Sequence, residues 1–215
     1  MYTQYAIYNQ SLSDEEIKSE IDFLIKYGIS EISVFGNHIP IVKTIENVNN
    51  TKFSTVLDFP YGSSDTKSRN CLVGNTVKSG VSIIYLPIQS RFVVNRRYDK
   101  IREDIKTNKQ ICDDSNVELR YCLEYRVFNH EILAKICQIL KTMDIGVIAP
   151  SSGMMIDDIA DNLIACEYLN KKSGISCICT GNLWKSDQMS SVVKSGVHGI
   201  RFNNKFSLDL YNKYI

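Results

Sequence analysis

Apolar positions along this chain fall into two alternating rhythms. Short runs rich in Val, Ile, Phe and Tyr read as strands over residues 5–8, 31–35, 53–59, 81–88, 117–124, 145–149, 175–180 and 198–202. The run from Val81 to Ile88 is almost continuously apolar, the pattern of a strand buried on both faces. Between these runs the spacing is helical. Ile17, Ile21, Leu24 and Ile25 recur at three- and four-residue intervals, Ser13 and Glu16 form a capping box before them, and Gly28 ends the segment. Further helices are expected over 39–48, 66–79, 96–109, 131–143, 156–170, 185–194 and 206–214. Each strand-plus-helix unit takes about 25 residues. Such alternation implies parallel strands joined by right-handed crossovers. Eight successive units imply a closed α/β barrel of the (β/α)8 TIM type, near the short end of its size range. The competing arrangement is an open doubly wound sheet, but its nucleotide-binding forms carry a G-x-G-x-x-G or Walker A segment, and this chain has neither. With no linker-like stretch, residues 1–215 read as a single domain.

Composition narrows the function classes. The chain is 44% hydrophobic and 23% charged, which excludes disordered, collagenous and coiled-coil readings. Twenty-five Lys and Arg against 24 Asp and Glu leave no basic surplus, so neither nucleic acid nor an acidic membrane is expected as a partner. No apolar run approaches the roughly 18 residues of a membrane span, and the first residues lack the features of a secretory signal. Seven cysteines, an odd number mostly in apolar surroundings, read as reduced small hydrophobes, and a cytoplasmic protein is expected. Cys177-Ile178-Cys179 is a C-x-C whose thiols share one strand face, not the C-x-x-C of redox or zinc sites. No pair of histidines has ligand spacing, so neither metal nor cofactor is expected. The basic run around Arg96 interleaves with acids and reads as a solvated helix face.

In a (β/α)8 barrel the active site is built at the C-terminal strand ends. Those ends supply Tyr8-Asn9-Gln10, then Asn37-His38, then Asp58 with Phe59-Pro60-Tyr61-Gly62, then Gln89 and Arg91. The second half supplies Glu124-Tyr125-Arg126, Ser151-Ser152-Gly153, Thr180-Gly181-Asn182 and Asn203-Asn204-Lys205.

Several of these segments resemble those of the deoxyribose-phosphate aldolase family. Phe59-Pro60-Tyr61-Gly62-Ser63 looks like that family's F-P-x-G turn after strand three, and His38-Ile39-Pro40-Ile41-Val42-Lys43 is similar to its segment after strand two. Leu119 to Glu124 resembles its L-K-V-I-I-E strand, Ser151-Ser152-Gly153 its S-T-G, and Thr180-Gly181-Asn182-Leu183 its S-G-G segment. The resemblance runs in order over nearly the whole chain and implies an aldolase-type barrel. The family's chemistry is imine formation on a lysine two residues before S-T-G, a position that falls on Ala149. Its second lysine falls on Ile178, an aspartate of strand four on Tyr85, an aspartate of strand one on or near Tyr5, and the strand-five lysine on Arg120. Asn203-Asn204-Lys205 stands where the family has a Gly-Ser-Ser phosphate cradle. Imine chemistry needs an amine of lowered pKa, and neither Ala149 nor Ile178 has one, while a guanidinium stays protonated. Cleavage of deoxyribose 5-phosphate by that route is therefore expected to be absent.

The expected function is a diverged, lysine-free enzyme acting on a small organic substrate by lyase- or cyclase-type acid–base chemistry. Asp58, Glu124, Tyr85 and Arg120 are its candidate catalytic groups. Tyr5, His38, Gln89, Ala149, Ser152, Ile178, Gly181 and Asn182 are its candidate pocket residues, and Lys205 a candidate anion-binding residue. Plainer readings stand beside each: structural carboxylates for Asp58 and Glu124, an exposed loop histidine for His38, and an internally paired cation for Arg120. The alternative function is a non-catalytic aldolase-fold protein that binds a ligand or a partner protein. A third reading moves the imine to Lys43 or Lys185. The partner is a small molecule in the first case, and a homodimer is left open.

Overall fold

The computed structural model describes residues 1–45, 48, 50–155 and 158–214. Eight parallel strands close into a barrel in chain order: β1 (Tyr2–Ile7), β2 (Glu31–Phe35), β3 (Lys52–Val56), β4 (Ile83–Pro87), β5 (Glu118–Cys122), β6 (Val147–Ala149), β7 (Ser176–Cys179) and β8 (Gly199–Phe202), with β8 returning to pair with β1. The helices are α1 (Asp14–Lys26), α2 (Ile39–Val42), α3 (Thr66–Thr76), α4 (Ser90–Val94), α5 (Tyr98–Asp113), α6 (His130–Thr142), α7 (Ile159–Ser173), α8 (Ser186–Lys194) and α9 (Lys205–Asn212). The closed barrel, rather than an open sheet, is the arrangement the alternation implied.

Local sequence accounts for most boundaries. Ser13 Oγ accepts from the Glu16 amide while the Glu16 carboxylate accepts from Ser13 N, the capping box expected for α1. Ile17, Ile21, Leu24 and Ile25 are all buried beneath that helix. Three differences have clear causes. The helix expected over 39–48 shortens to α2, and residues 46 and 47 of that expectation lie outside the described set, as do 156 and 157 at the expected start of α7. The helix expected over 96–109 is α5, running from Tyr98 to Asp113, and a short helix that was not expected, α4, precedes it; the positive φ of Arg96 separates the two. And α5 is not a wholly solvated helix: Ile101, Asp104, Ile105, Asn108 and Cys112 are buried on its inner face.

Two layers of core follow from strand alternation. The larger lies between barrel and helices and contains Tyr5, Ile7, Cys177 and Cys179. The smaller fills the barrel interior with Val56, Ile83, Tyr85, Cys122, Ala149 and Ile178. The two cysteines of C-x-C thus face outward, and Ile178 between them faces inward. All seven cysteines are free thiols, only Cys71 being exposed. The F-P-x-G turn leaves the C-terminal end of β3 as expected. Gly62 has φ 60° and lies so close to β4's end that a Cβ would sit 2.4 Å from Ile88 O, so only glycine fits there.

Candidate functional site

Inside the barrel, polar side chains occupy two levels. The lower one is built at the N-terminal strand ends. Arg120 Nη1 donates to Glu31 Oε2 and to the Tyr85 hydroxyl, both at 2.8 Å, while its Nε and Nη2 donate to the two Glu118 oxygens at 2.6 and 3.0 Å. The guanidinium also lies 5.2 Å from the Tyr2 ring centre, and Tyr2 Oη donates to Glu31 at 2.8 Å. Burial drives the Tyr85 hydroxyl well above its ordinary range, reinforced by Glu31, so it stays protonated. This is a closed ion network in which each member has partners.

The upper level is organised by Arg201, which is 4% exposed. Gln4 links the two levels: its amide NH2 donates to Glu31 and its oxygen accepts from Arg201 Nε. The Arg201 guanidinium lies 5.2 Å from the Tyr85 ring centre, so both arginines adjoin that one side chain. Arg201 Nη1 makes a long 3.4 Å contact to Ser152 O, and Nη2 has no hydrogen-bond partner among the described residues. Cys122 and Tyr8 adjoin Arg201, but burial raises the thiol to about 11 and the phenol to about 12, so neither supplies a negative charge.

A cavity of about 580 Å³ opens above Arg201, at the C-terminal ends of β1, β6, β7 and β8. Tyr8, Asn9, Ser152, Thr180, Asn182 and Asn203 give it polar walls; Ala6, Leu12, Met154 and Met155 give it apolar ones. Glu20 of α1 also belongs to its lining. The other half of the barrel mouth is closed. Tyr8 stacks on Phe35 at 4.8 Å and meets Phe59 at 5.4 Å, and its hydroxyl bonds Ser33 Oγ at 2.8 Å. The barrel is therefore plugged under β1–β3 and open over β6–β8.

The expected site residues distribute unevenly over this geometry. Ser152, Gly181 and Asn182 line the cavity. Ala149 and Ile178 face the interior but lie fully buried in the packed layer below. Tyr85 and Arg120 belong to the lower level described above, away from the cavity. Tyr5 does not line the cavity: it lies in the outer core, one residue out of phase with Gln4, with its hydroxyl facing Glu20. Asp58 is outside the barrel. Its carboxylate pairs with Arg69 and accepts from Ser64 N at 3.0 Å, and Arg69 is held in turn by Asp104 and Pro87 O. Glu124 Oε1 accepts from Ser152 N at 2.7 Å, fixing the cavity wall from behind. Gln89 donates to Ser64 O and Thr66 Oγ1 in the loops after β3 and β4. His38 is buried rather than exposed, because it ends a tight helical turn that α2 continues inward. Lys205 lies 5.1 Å over the Phe23 ring of α1, outside the cavity lining. Arg201, Gln4 and Glu31 are the interior polar residues that sequence reasoning passed over. The available signal was a charge in mid-strand on the same face as Gly199, in an otherwise apolar run.

Among the described residues, no group of three or more His, Cys, Asp and Glu side chains is placed to hold a metal ion. No helix of the described residues is long and apolar enough to cross a membrane.

The closed barrel with its cavity at the C-terminal rim defines a (β/α)8 barrel protein. No family model matches the chain. It is similar to the deoxyribose-phosphate aldolase of Mannheimia succiniciproducens, 23% identical over 161 residues, which cover 74% of this chain and 70% of that one. It is also similar to that of Mycoplasmopsis pulmonis, 20% identical over 209 residues, which cover 96% and 93%. Among solved structures, the tetrameric deoxyribose phosphate aldolase of Aeropyrum pernix superposes with a TM-score of 0.82 at 10% identity, covering 99% of this chain and 88% of that one. Within its fold class, the chain is a low-identity relative of the deoxyribose-phosphate aldolases.

Proposed function

We propose that this protein is a diverged relative of deoxyribose-phosphate aldolase that binds a small organic molecule in the rim cavity and does no imine chemistry. The observation that carries this reading is the cavity itself: a space of about 580 Å³ at the barrel's C-terminal end, floored by Arg201, whose lining contains no lysine among the described residues. A floor of guanidinium and walls of neutral amides can orient a polar ligand, but they cannot supply the unprotonated amine that imine formation requires. The interior positions where the family resemblance places its lysines are packed with Ala149 and Ile178. Catalytic roles for Tyr85 and Arg120 are not part of this proposal, because their polar atoms are spent on one another and on Glu31 and Glu118. Asp58 and Glu124 act as fasteners for the loops after β3 and β6.

Glu20 favours a second reading. It is the one carboxylate in the cavity lining among the described residues. An enzyme built on this site would use Glu20 to move a proton and Arg201 to stabilise negative charge developing on the substrate.

The test is borohydride reduction in the presence of acetaldehyde, followed by intact-protein and peptide mass spectrometry, alongside an assay of acetaldehyde release from deoxyribose 5-phosphate. No adduct and no release are expected. An adduct on Lys43 or Lys185, with cleavage lost on replacing that lysine, would overturn the proposal.

A further inference from the structure

We infer that the cavity ligand is a small monocarboxylate, seated with its carboxylate inward on Arg201 and its neutral end toward Asn182 and Asn203. The inference deepens the rim-cavity reading and rests on it.

Three observations carry it. First, Arg201 is a buried cation with an unfilled side. Its Nε is committed to Gln4, its Nη1 is weakly held by Ser152 O, and its Nη2 is unpartnered among the described residues. Burying a charge without a partner is costly, and no carboxylate lies within hydrogen-bond reach of this guanidinium among the described residues; Glu31 is reached only through Gln4. The Nη1–Nη2 edge of a guanidinium presents two parallel N–H groups, which match the two oxygens of a planar carboxylate.

Second, the electrostatics favour one negative charge over two. Arg201 is the one cation and Glu20 the one carboxylate in the lining among the described residues. A phosphate dianion would be half compensated by Arg201 and repelled by Glu20. A monocarboxylate is matched by Arg201 and meets half that repulsion. Lys205, the cation at the start of α9, rests on Phe23 instead of entering the cavity.

Third, the remaining lining suits a short, partly apolar body. Ala6, Leu12, Met154 and Met155 offer apolar contact, and Asn9, Asn182 and Asn203 offer neutral donors and acceptors.

Trp184 makes a binding probe. It is the chain's single tryptophan, two residues beyond Asn182 on the loop that leaves β7. Tryptophan fluorescence and thermal shift are read against straight-chain carboxylates and 2-oxo acids of two to six carbons, their primary amides, inorganic phosphate and deoxyribose 5-phosphate. At least one carboxylate is expected to bind ten times or more tightly than its amide, and neither phosphate probe is expected to displace it. In Arg201→Gln the carboxylate-to-amide ratio should fall to near one, and Arg201→Lys should restore part of it. Should Arg201→Gln fail to fold by circular dichroism, the ratio in the unmodified protein decides. Amides that bind as tightly as their acids, phosphate that outcompetes them, or a ratio unchanged in Arg201→Gln would overturn the inference and leave the rim-cavity reading standing. Failure of every probe, charged and neutral, to bind would overturn both.

Discussion

Two arginines share the interior of this barrel and one tyrosine. Arg120 and Arg201 lie 5.7 and 5.2 Å from the Tyr85 ring centre, and both are almost wholly buried. At the lower level, Arg120 meets Glu31, Glu118 and the Tyr85 hydroxyl, and its charge is answered within the protein. At the upper level, Arg201 meets a neutral glutamine, a carbonyl at long range and a cavity. The same side chain is therefore an internal brace in one place and, on the reading proposed above, a receptor in the other. Burial alone does not distinguish the two roles; the count of partners on the guanidinium edge does. The comparison extends to a third arginine. Arg69, outside the barrel, stays charged against the pull of burial because Asp104 and Asp58 face it. It binds the loop after β3 to α5 and, like Arg120, has no side left for a ligand.

If Arg120 is a brace, Arg120→Leu should be the most damaging of these changes. It leaves Glu31 buried without its cation, and breaking a buried pair in this way costs about 3–5 kcal/mol. Urea denaturation followed by circular dichroism measures it; a loss near zero would mean the lower network is dispensable. Asp58→Asn should cost about 1.5–3 kcal/mol, the range for a lost charged hydrogen bond, with carboxylate binding unchanged. A stable Asp58→Asn protein that no longer bound ligand would return Asp58 to the functional site.

Arg201→Leu should shift stability by less than about 1 kcal/mol in either direction, because removing an incompletely paired buried charge offsets the loss of its bond to Gln4. A loss equal to that of Arg120→Leu would erase the distinction between the two arginines. The smallest effect concerns His198, stacked on Tyr2 at 5.5 Å just below β8. Partial burial, helped by nearby Arg120, lowers its pKa from 6.5. Between the lowered value and 6.5 the unfolded chain binds a proton that the folded one resists, so stability falls as pH drops below 6.5. His198→Gln should flatten that part of the stability–pH curve without altering it above pH 7. An unchanged curve would show that His198 titrates alike in both states.

Most of the fold was legible because it depends on short-range pattern. Alternating apolar runs and helical spacing gave eight strands in the right order, and capping chemistry at Ser13 and Glu16 fixed a helix start to the residue. Register was harder. Strand β8 has four residues and β6 has three, too few for alternation to show which face looks inward. Tyr5 and Tyr8 illustrate the consequence. Tyr5 lies within β1 and Tyr8 one residue past its end, yet one belongs to the outer core and the other plugs the barrel, since an odd spacing reverses the face.

For the site, the sequence by itself placed Ala149 and Ile178, which carry no amine, at the positions where the resemblance puts the family's lysines, and the proposal of no imine chemistry rests on that. It also determined that polar residues would gather at the strand ends, where Ser152, Gly181 and Asn182 do line the cavity. Only the tertiary structure decided which buried charges find partners. Glu31 and Arg120 are 89 residues apart and Gln4 and Arg201 are 197 apart. Those pairings exist because barrel closure brings β8 back to β1 and points the strands' inner faces at one another. No local pattern in the chain encodes that one guanidinium is enclosed by carboxylates while another is left facing open space.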